Sequence, residues 1–286
     1  MVKIHAIQTG RVRIKVAQWR REKGGGLGRL FFSRDWSEWL PIYAWLVEHP
    51  EGLILVDTGE TARTAEPGYF PRWQPYYRFA VRLDVSAEDE IGPQLHRLGF
   101  DPDDVRLVIL THLHTDHAGG LHHFPKSDIL VSGAEYQSAQ GLSGKMMGYL
   151  PHRWPDWFAP GFFQFVPSPF GSFDKHLPVT EAGDIVVVPT PGHTPNHVSV
   201  IVQTEPANYF LAGDATYAER LLLERHPDGV SPDPDVALDT IDRILHYAKS
   251  GPLIYLPSHD VGSALRLSQD RQVAFHESTI DESRMG

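Results

Sequence analysis

Residues 111–120 read THLHTDHAGG and follow directly on the apolar run VRLVIL, residues 105–110. This junction constrains the fold more than any other part of the chain. A short run rich in Val, Ile and Leu predicts a buried strand. Ligand-type side chains directly beyond such a strand belong at the carboxyl edge of a sheet, where the sites of layered α/β proteins collect. His112 and His114 are two residues apart, so on extended backbone they point to the same side and can share one ion. Asp116 and His117 come where the chain turns toward a helix, and they can face a second ion. Imidazole nitrogen and carboxylate oxygen suit Zn²⁺, with Fe, Mn and Co also compatible. A solvated loop that happens to be histidine-rich would not need an apolar strand leading into it.

Three later positions repeat the pattern. His193 lies in VVVPTPGHTPNH, at a Gly/Pro turn after a strand-like run. Asp214 ends the apolar stretch of NYFLAGDATY, and His259 ends that of LIYLPSHD. Each alone reads as a loop histidine, a turn aspartate or a strand-end histidine. Together with residues 112–117 they give seven ligand-type residues, all after strand-like runs.

The rest of the chain supplies the scaffold. Residues 2–8 and 11–17 predict a strand pair about Thr9-Gly10, and IYAWLVEH with LILVDTG predicts a hairpin across Pro50-Glu51-Gly52. SAEDEIGPQLHRLGF predicts a helix, with Ser86 and Asp89 at capping-box spacing and Ile91, Leu95 and Leu98 on one face. DVALDTIDRILHYAK is the clearest helix: Val236, Ile241, Ile244, Leu245 and Ala248 share a face, and Asp235 is the expected cap. DILVS, IVVVPTPG, HVSVIVQ, NYFLAGD and LIYLPSH predict further strands. Alternating strands and helices with no repeat or linker suggest one layered α/β domain over 1–286, interrupted by loop insertions near 19–40 and 141–175. The polar tail FHESTIDESRMG is left without assigned structure.

Composition excludes several function classes. The 286 residues are 41% hydrophobic and 22% charged, an ordinary globular balance, and the net charge of −10 disfavours nucleic acid and anionic membranes as partners. The chain has sixteen histidines and no cysteine, so thiolate ligands and cysteine nucleophiles are excluded. No apolar run reaches membrane-span length and the N-terminus lacks a signal-peptide core, which makes a cytoplasmic protein the simplest expectation.

From about Ile42 to Asp260 the sequence resembles the metallo-β-lactamase superfamily, with HxHxDH as the specific signature. The resemblance implies an αββα sandwich, two mixed β-sheets flanked by helices, with two divalent metal ions, expected to be Zn²⁺, on one edge. Carried onto this chain, His112, His114 and His193 would hold one ion, Asp116, His117 and His259 the other, and Asp214 would bridge them. Asp57, in LILVDTG, would orient ligand histidines from behind. His197 would not be a ligand, and His122 and His123 are expected on the surface or in a helix.

The superfamily hosts several reactions, so the site must decide. GHTPxH and HxHxDH are shared with glyoxalase II thioesterases, which end in a helical domain for which the short stretch after His259 leaves little room. Phosphotriesterases and a non-catalytic metal protein are further alternatives. Tyr217, three residues after Asp214, matches the N-acyl homoserine lactone lactonases, where such a tyrosine reaches the lactone. That resemblance implies hydrolysis of the ring ester by a water acidified between the ions, with Tyr217 donating to the oxyanion and Asp116 relaying the proton. It also implies a homodimer and a small-molecule lactone as partner. The acyl chain needs an apolar wall. The aromatic segment Tyr149 to Phe173, with Trp154, Trp157 and Phe158, is the first candidate, and Trp19, Trp36, Trp39, Phe70, Trp73 and Met146 are others, while His152 lies inside the segment. These rings could equally fill a satellite core or a subunit interface.

Overall fold

The computed structural model describes residues 2–21 and 27–275. The glycine run 24–26 and nearly all of the polar tail lie outside them. Among the described residues twelve strands form two sheets. In chain order they are β1 (Lys3–Ile14), β2 (Leu40–His49), β3 (Gly52–Val56), β4 (Val81–Asp84), β5 (Val105–Ile109), β6 (Asp128–Val131), β7 (Gly161–Phe162), β8 (Leu177–Pro178), β9 (Ile185–Pro189), β10 (Val198–Val202), β11 (Asn208–Gly213) and β12 (Leu253–Pro257). The first sheet runs β4-β1-β2-β3-β5-β6-β7 and the second β12-β11-β10-β9-β8. Both are mixed: β1, β2 and β3 pair antiparallel, β3, β5 and β6 parallel, and β11 pairs parallel with β12.

Side-chain alternation explains the layering. On β2, Tyr43, Trp45 and Val47 face one way and Ala44 and Leu46 the other, and all five are buried. A strand covered on both faces needs apolar residues at every position. Tyr43, Trp45 and Val47 meet Val187, Val200, Leu211 and Ile254 between the sheets. Ala44 and Leu46 pack instead with Ile91, Leu95 and Phe124 on the outer face. The helix Pro234–Lys249 covers the second sheet with Ile241, Ile244 and Ala248 against Val186, Val188 and Phe210. This is the expected αββα sandwich. Among the described residues no helix is long and apolar enough to cross a membrane.

Local expectations are corrected at four points. The expected strand pair at the N-terminus is one strand, β1, whose register against β2 shifts between Gln8 and Arg11 at Gly10 (φ +115). The glycine permits a bend that keeps the chain in the same sheet. The Ser86/Asp89 capping box closes a 3₁₀ turn, Ala87–Asp89, and the α-helix starts separately at Ile91. Pro93 falls in its first turn, where no intrahelical N–H is needed. The cap of the long helix is Asp233, which accepts from the backbone of Asp235 and Val236, with Pro234 at the first helical position. Val236 then lies off the buried face, 39% exposed.

Candidate metal centre and cleft

The loops after β5, β9, β11 and β12 bring all seven expected ligand residues to one edge of the sandwich. His112, His114 and His193 each offer an atom to one group, Asp116, His117 and His259 to another, and His112, His117 and Asp214 to a third that joins them. Nδ1 of His114 lies 3.1 Å from Nε2 of His112 and 3.0 Å from Nε2 of His193. Asp214 Oδ2 is 3.5 Å from His193 Nε2, and its Oδ1 is 3.3 Å from His117 Nε2 and 3.4 Å from His259 Nε2. Asp116 Oδ2 is 3.4 Å from His259 Nε2. Ligand atoms at about 2.0–2.1 Å from a tetrahedral ion sit roughly 3.3 Å apart. Converging donors at this spacing match the edges of two coordination shells that share Asp214.

Each imidazole is turned by a partner on its other nitrogen. His117 Nδ1 is 2.8 Å from Asp57 Oδ2, His193 Nδ1 is 2.6 Å from Asp228 Oδ2, and His259 Nδ1 is 2.8 Å from the Pro41 carbonyl. His112 Nδ1 lies 3.1 Å from Thr111 Oγ1, which itself donates to Asp57 Oδ2. His114 Nε2 faces the Met147 carbonyl at 3.2 Å. With one nitrogen donating, the neutral ring aims a bare lone pair into the centre. His117 Nε2 and Asp214 Oδ1 are buried without any hydrogen-bond partner, which buried polar atoms rarely are. The donor set and these orphaned atoms fit two divalent ions.

The electrostatics point the same way. Burial, then the neighbouring imidazole of His193, pushes His114 down to about 4, so it is a neutral donor. Burial would raise the Asp214 carboxyl, but His259, His117 and His193 hold it well below the carboxylate range. Burial opposes a charge on His259, yet Asp214 and Asp116 push it up to about 10. The buried carboxylates thus demand cations, and bound metal would meet that demand in place of protons.

Several supports were not foreseen. Asp228 sits in HPDGVSPDPD, which reads only as a turn, yet it holds His193 from 35 residues away. Buried Glu135 accepts from Leu113 N, Tyr149 OH and Thr194 Oγ1, tying together the two loops that carry His112, His114 and His193. His197 stands outside the converging donor groups: its Nε2 accepts from Asp214 N at 3.0 Å, and a side chain on Gly213 (φ +55) would collide with it. Asp57 adopts φ +61, an uncommon conformation for a non-glycine residue, and accepts from Thr111 N as well as His117.

A cleft of about 230 Å³ opens onto this centre. Its polar end is formed by His114, Asp116, His193, Asp214 and Tyr217, and its apolar arm by Leu30, Phe31, Tyr76, Val81, Leu83, Met146 and Met147. Tyr217 is buried, with its ring 5.8 Å from that of His193 and 5.5 Å from that of His259, and its hydroxyl accepts from Gln18 Nε2 at 3.2 Å. Burial and the Asp214 charge raise its phenol well above 10, so it remains a donor. Neither Gln18 nor Tyr76 and Tyr77 carried any sequence signal for a cleft.

Of the expected wall residues Met146 lines this cleft, as does Tyr149 at the start of the aromatic segment. Phe70 stacks on the far side of Tyr77, rings 4.2 Å apart. Trp154 and Phe158 pack with Tyr136 in a cluster on the outer face of the first sheet. Trp157 borders a different cavity, with Arg106, Pro125 and Pro178. Trp19 lies under the Arg220 guanidinium, and Trp36 under Lys15 and Arg82. His152 is also absent from the cleft lining. The rings were free to be covered by core or by cations, and most are.

Comparison with known proteins agrees with this geometry. Residues 37–259 match the model of the metallo-beta-lactamase superfamily. N-acyl homoserine lactonase AiiA of Bacillus thuringiensis subsp. kurstaki is 32% identical over 232 residues, covering 78% of this chain and 82% of that protein. N-acyl homoserine lactonase AttM of Rhizobium radiobacter is 26% identical over 274 residues, covering 91% and 93%. A solved N-acyl homoserine lactone hydrolase, with the product N-hexanoyl-L-homoserine at its catalytic metal centre, superposes with a TM-score of 0.74 at 26% identity over 91% of this chain and 93% of that one. The chain belongs to the metallo-beta-lactamase superfamily and, within it, to the N-acyl homoserine lactonase family.

Proposed function

We propose that this protein hydrolyses the ring ester of N-acyl homoserine lactones, giving the open N-acyl homoserine. The observation that carries the reading is the cleft itself: Tyr217 stands at its polar end beside His193 and His259, and the apolar arm leads away from it. A lactone head with an acyl tail has the same polarity. When bound, the two divalent ions, for which we favour Zn²⁺, supply an acidified water and electrophilic help to the ring carbonyl. The chain does the rest. His112, His114 and His193 would hold one ion, Asp116, His117 and His259 the other, with Asp214 shared. Tyr217 donates its hydroxyl proton as a hydrogen bond to the carbonyl oxygen as charge develops there. The ring C–O bond breaks and its oxygen takes a proton, which Asp116 relays. Both line the cleft, but Asp116 suits that task better than Asp214, because its side chain is 22% exposed, against 3% for Asp214.

The acyl chain rests on Leu30, Phe31, Val81, Leu83, Met146 and Met147. A homodimer forms part of the reading. Exposed Phe32, Trp73 and Phe79, beside or within the helices that wall the cleft, give such an interface apolar surface. Chelation followed by titration of Zn²⁺ or Co²⁺ tests the proposal: ring opening should vanish and return with metal. Activity that survives exhaustive chelation would refute it.

A further inference from the structure

Outside the cleft, a second cluster of ligand-type side chains stands where helix Ile91–Leu98 meets the 3₁₀ turn Gly119–His123. We propose that Glu90, His122 and His123 form an additional cation site that takes one divalent transition ion of the zinc type. The three residues each offer one atom within 4.8 Å of the others. His123 Nε2 is 2.8 Å and His122 Nε2 3.0 Å from the same oxygen, Glu90 Oε2, and the two rings lie 4.1 Å apart.

Four features make this more than a chance contact. The carboxylate is preorganised: Glu90 Oε1 accepts from Thr61 Oγ1 at 3.1 Å and from Ala62 N at 2.9 Å, which leaves Oε2 for the histidines. Glu90 is only 8% exposed, and among the described residues no Lys or Arg pairs with it. His122 Nδ1 lies 3.3 Å from the Gly119 carbonyl. Donation from that nitrogen leaves Nε2 facing the Glu90 oxygen, an arrangement that a shared cation stabilises. Finally, Gly92 makes room for the His123 ring: a Cβ there would come within 2.5 Å of Nδ1. Glycine is a poor residue inside a helix, and here it admits an imidazole.

Two imidazoles and a carboxylate make up an open zinc site, with water free to complete the shell on the exposed side of His122. The donor spacing is slightly tighter than the roughly 3.3 Å edge of a tetrahedral zinc shell, and small rotations of both imidazoles would open it. Such an ion would tie together three segments: the loop after Asp57, the start of helix Ile91–Leu98, and the turn that follows Asp116 and His117. None of the three ligands lines the cleft.

The test is zinc counting on the full chain. Wild type, His122→Ala and Gly92→Ala are dialysed to equilibrium against the same buffered free Zn²⁺, and bound metal is measured by mass spectrometry. Wild type should hold one equivalent more than either variant, and added Zn²⁺ should raise its Tm beyond theirs. The His122→Ala variant should keep the wild-type rate of lactone hydrolysis. The difference in zinc content is read without reference to any activity, so it stands or falls apart from the lactonase reading. Equal zinc content in wild type and His122→Ala, with both folded by circular dichroism, would overturn the site and leave a hydrogen-bonded cluster only.

Discussion

Nδ1 of His117 lies 2.8 Å from Oδ2 of Asp57, and on the opposite side of the ring Nε2 faces Asp214 Oδ1 at 3.3 Å with no hydrogen-bond partner. The carboxylate at position 57 therefore decides which nitrogen of His117 is offered to the centre. We expect Asp57→Asn to weaken metal affinity by roughly 10- to 100-fold, the usual cost of losing a partner behind a ligand. Competition with a chromophoric chelator measures this. An unchanged affinity would mean that Asp57 serves only to hold the turn.

Tyr217→Phe removes one hydroxyl from a buried ring and leaves its packing intact. Loss of a transition-state hydrogen bond should cost roughly 1–3 kcal/mol, a fall of about 10- to 100-fold in kcat/KM. Because burial and Asp214 raise the phenol well above 10, the wild-type contribution should persist undiminished through neutral and mildly alkaline pH. Unchanged kinetics would assign the ring to the core alone.

Asp116→Asn should lower kcat by at least roughly 100-fold, since the relay and one ligand of the His259 group are lost together. Zinc content is measured on the same sample to separate the two effects. A variant that keeps kcat within about threefold of wild type would move the proton relay to another group.

Metal uptake should release protons. Asp214 and Asp116 push His259 up to about 10, and Asp214, Asp57 and Asp116 raise His117 against the opposing effect of burial. Both rings, and His193 beside Asp228 and Asp214, hold a proton more tightly in the metal-free protein than a free imidazole does and must lose it to become ligands, so protons should leave as the centre fills. Titration calorimetry in buffers of different ionisation enthalpy counts them. Apparent zinc affinity should therefore rise with pH across the neutral range. A pH-independent affinity would contradict the assignment of His117 and His259.

How far the sequence spoke depended on how local each signal was. HxHxDH is legible because a spacing of two on extended backbone sets His112 and His114 side by side, whatever the rest of the fold does. β2 and the hairpin with β3 are legible because the buried run Leu40–Val47 is apolar throughout. Asp228 is not legible, because its pairing with His193 spans 35 residues and nothing near either one encodes it. The aromatic segment fails for a different reason. Composition requires Trp154 and Phe158 to be covered but does not say by what, and Tyr136 rather than substrate covers them. The cleft wall is instead built from Leu30 and Phe31, a short helix inside the stretch expected as a loop insertion near 19–40, and from Val81 and Leu83, to which the sequence assigned no element.

The central claim is the choice of substrate, and one zinc-loaded sample can decide it. The kcat/KM for ring opening of an N-acyl homoserine lactone is compared with that for S-lactoylglutathione and for a paraoxon-type phosphotriester, with products identified by mass spectrometry. The account predicts the lactone as the preferred substrate by a wide margin, with N-acyl homoserine as the product. Faster turnover of the thioester or the phosphotriester, with little or no ring opening, would contradict it.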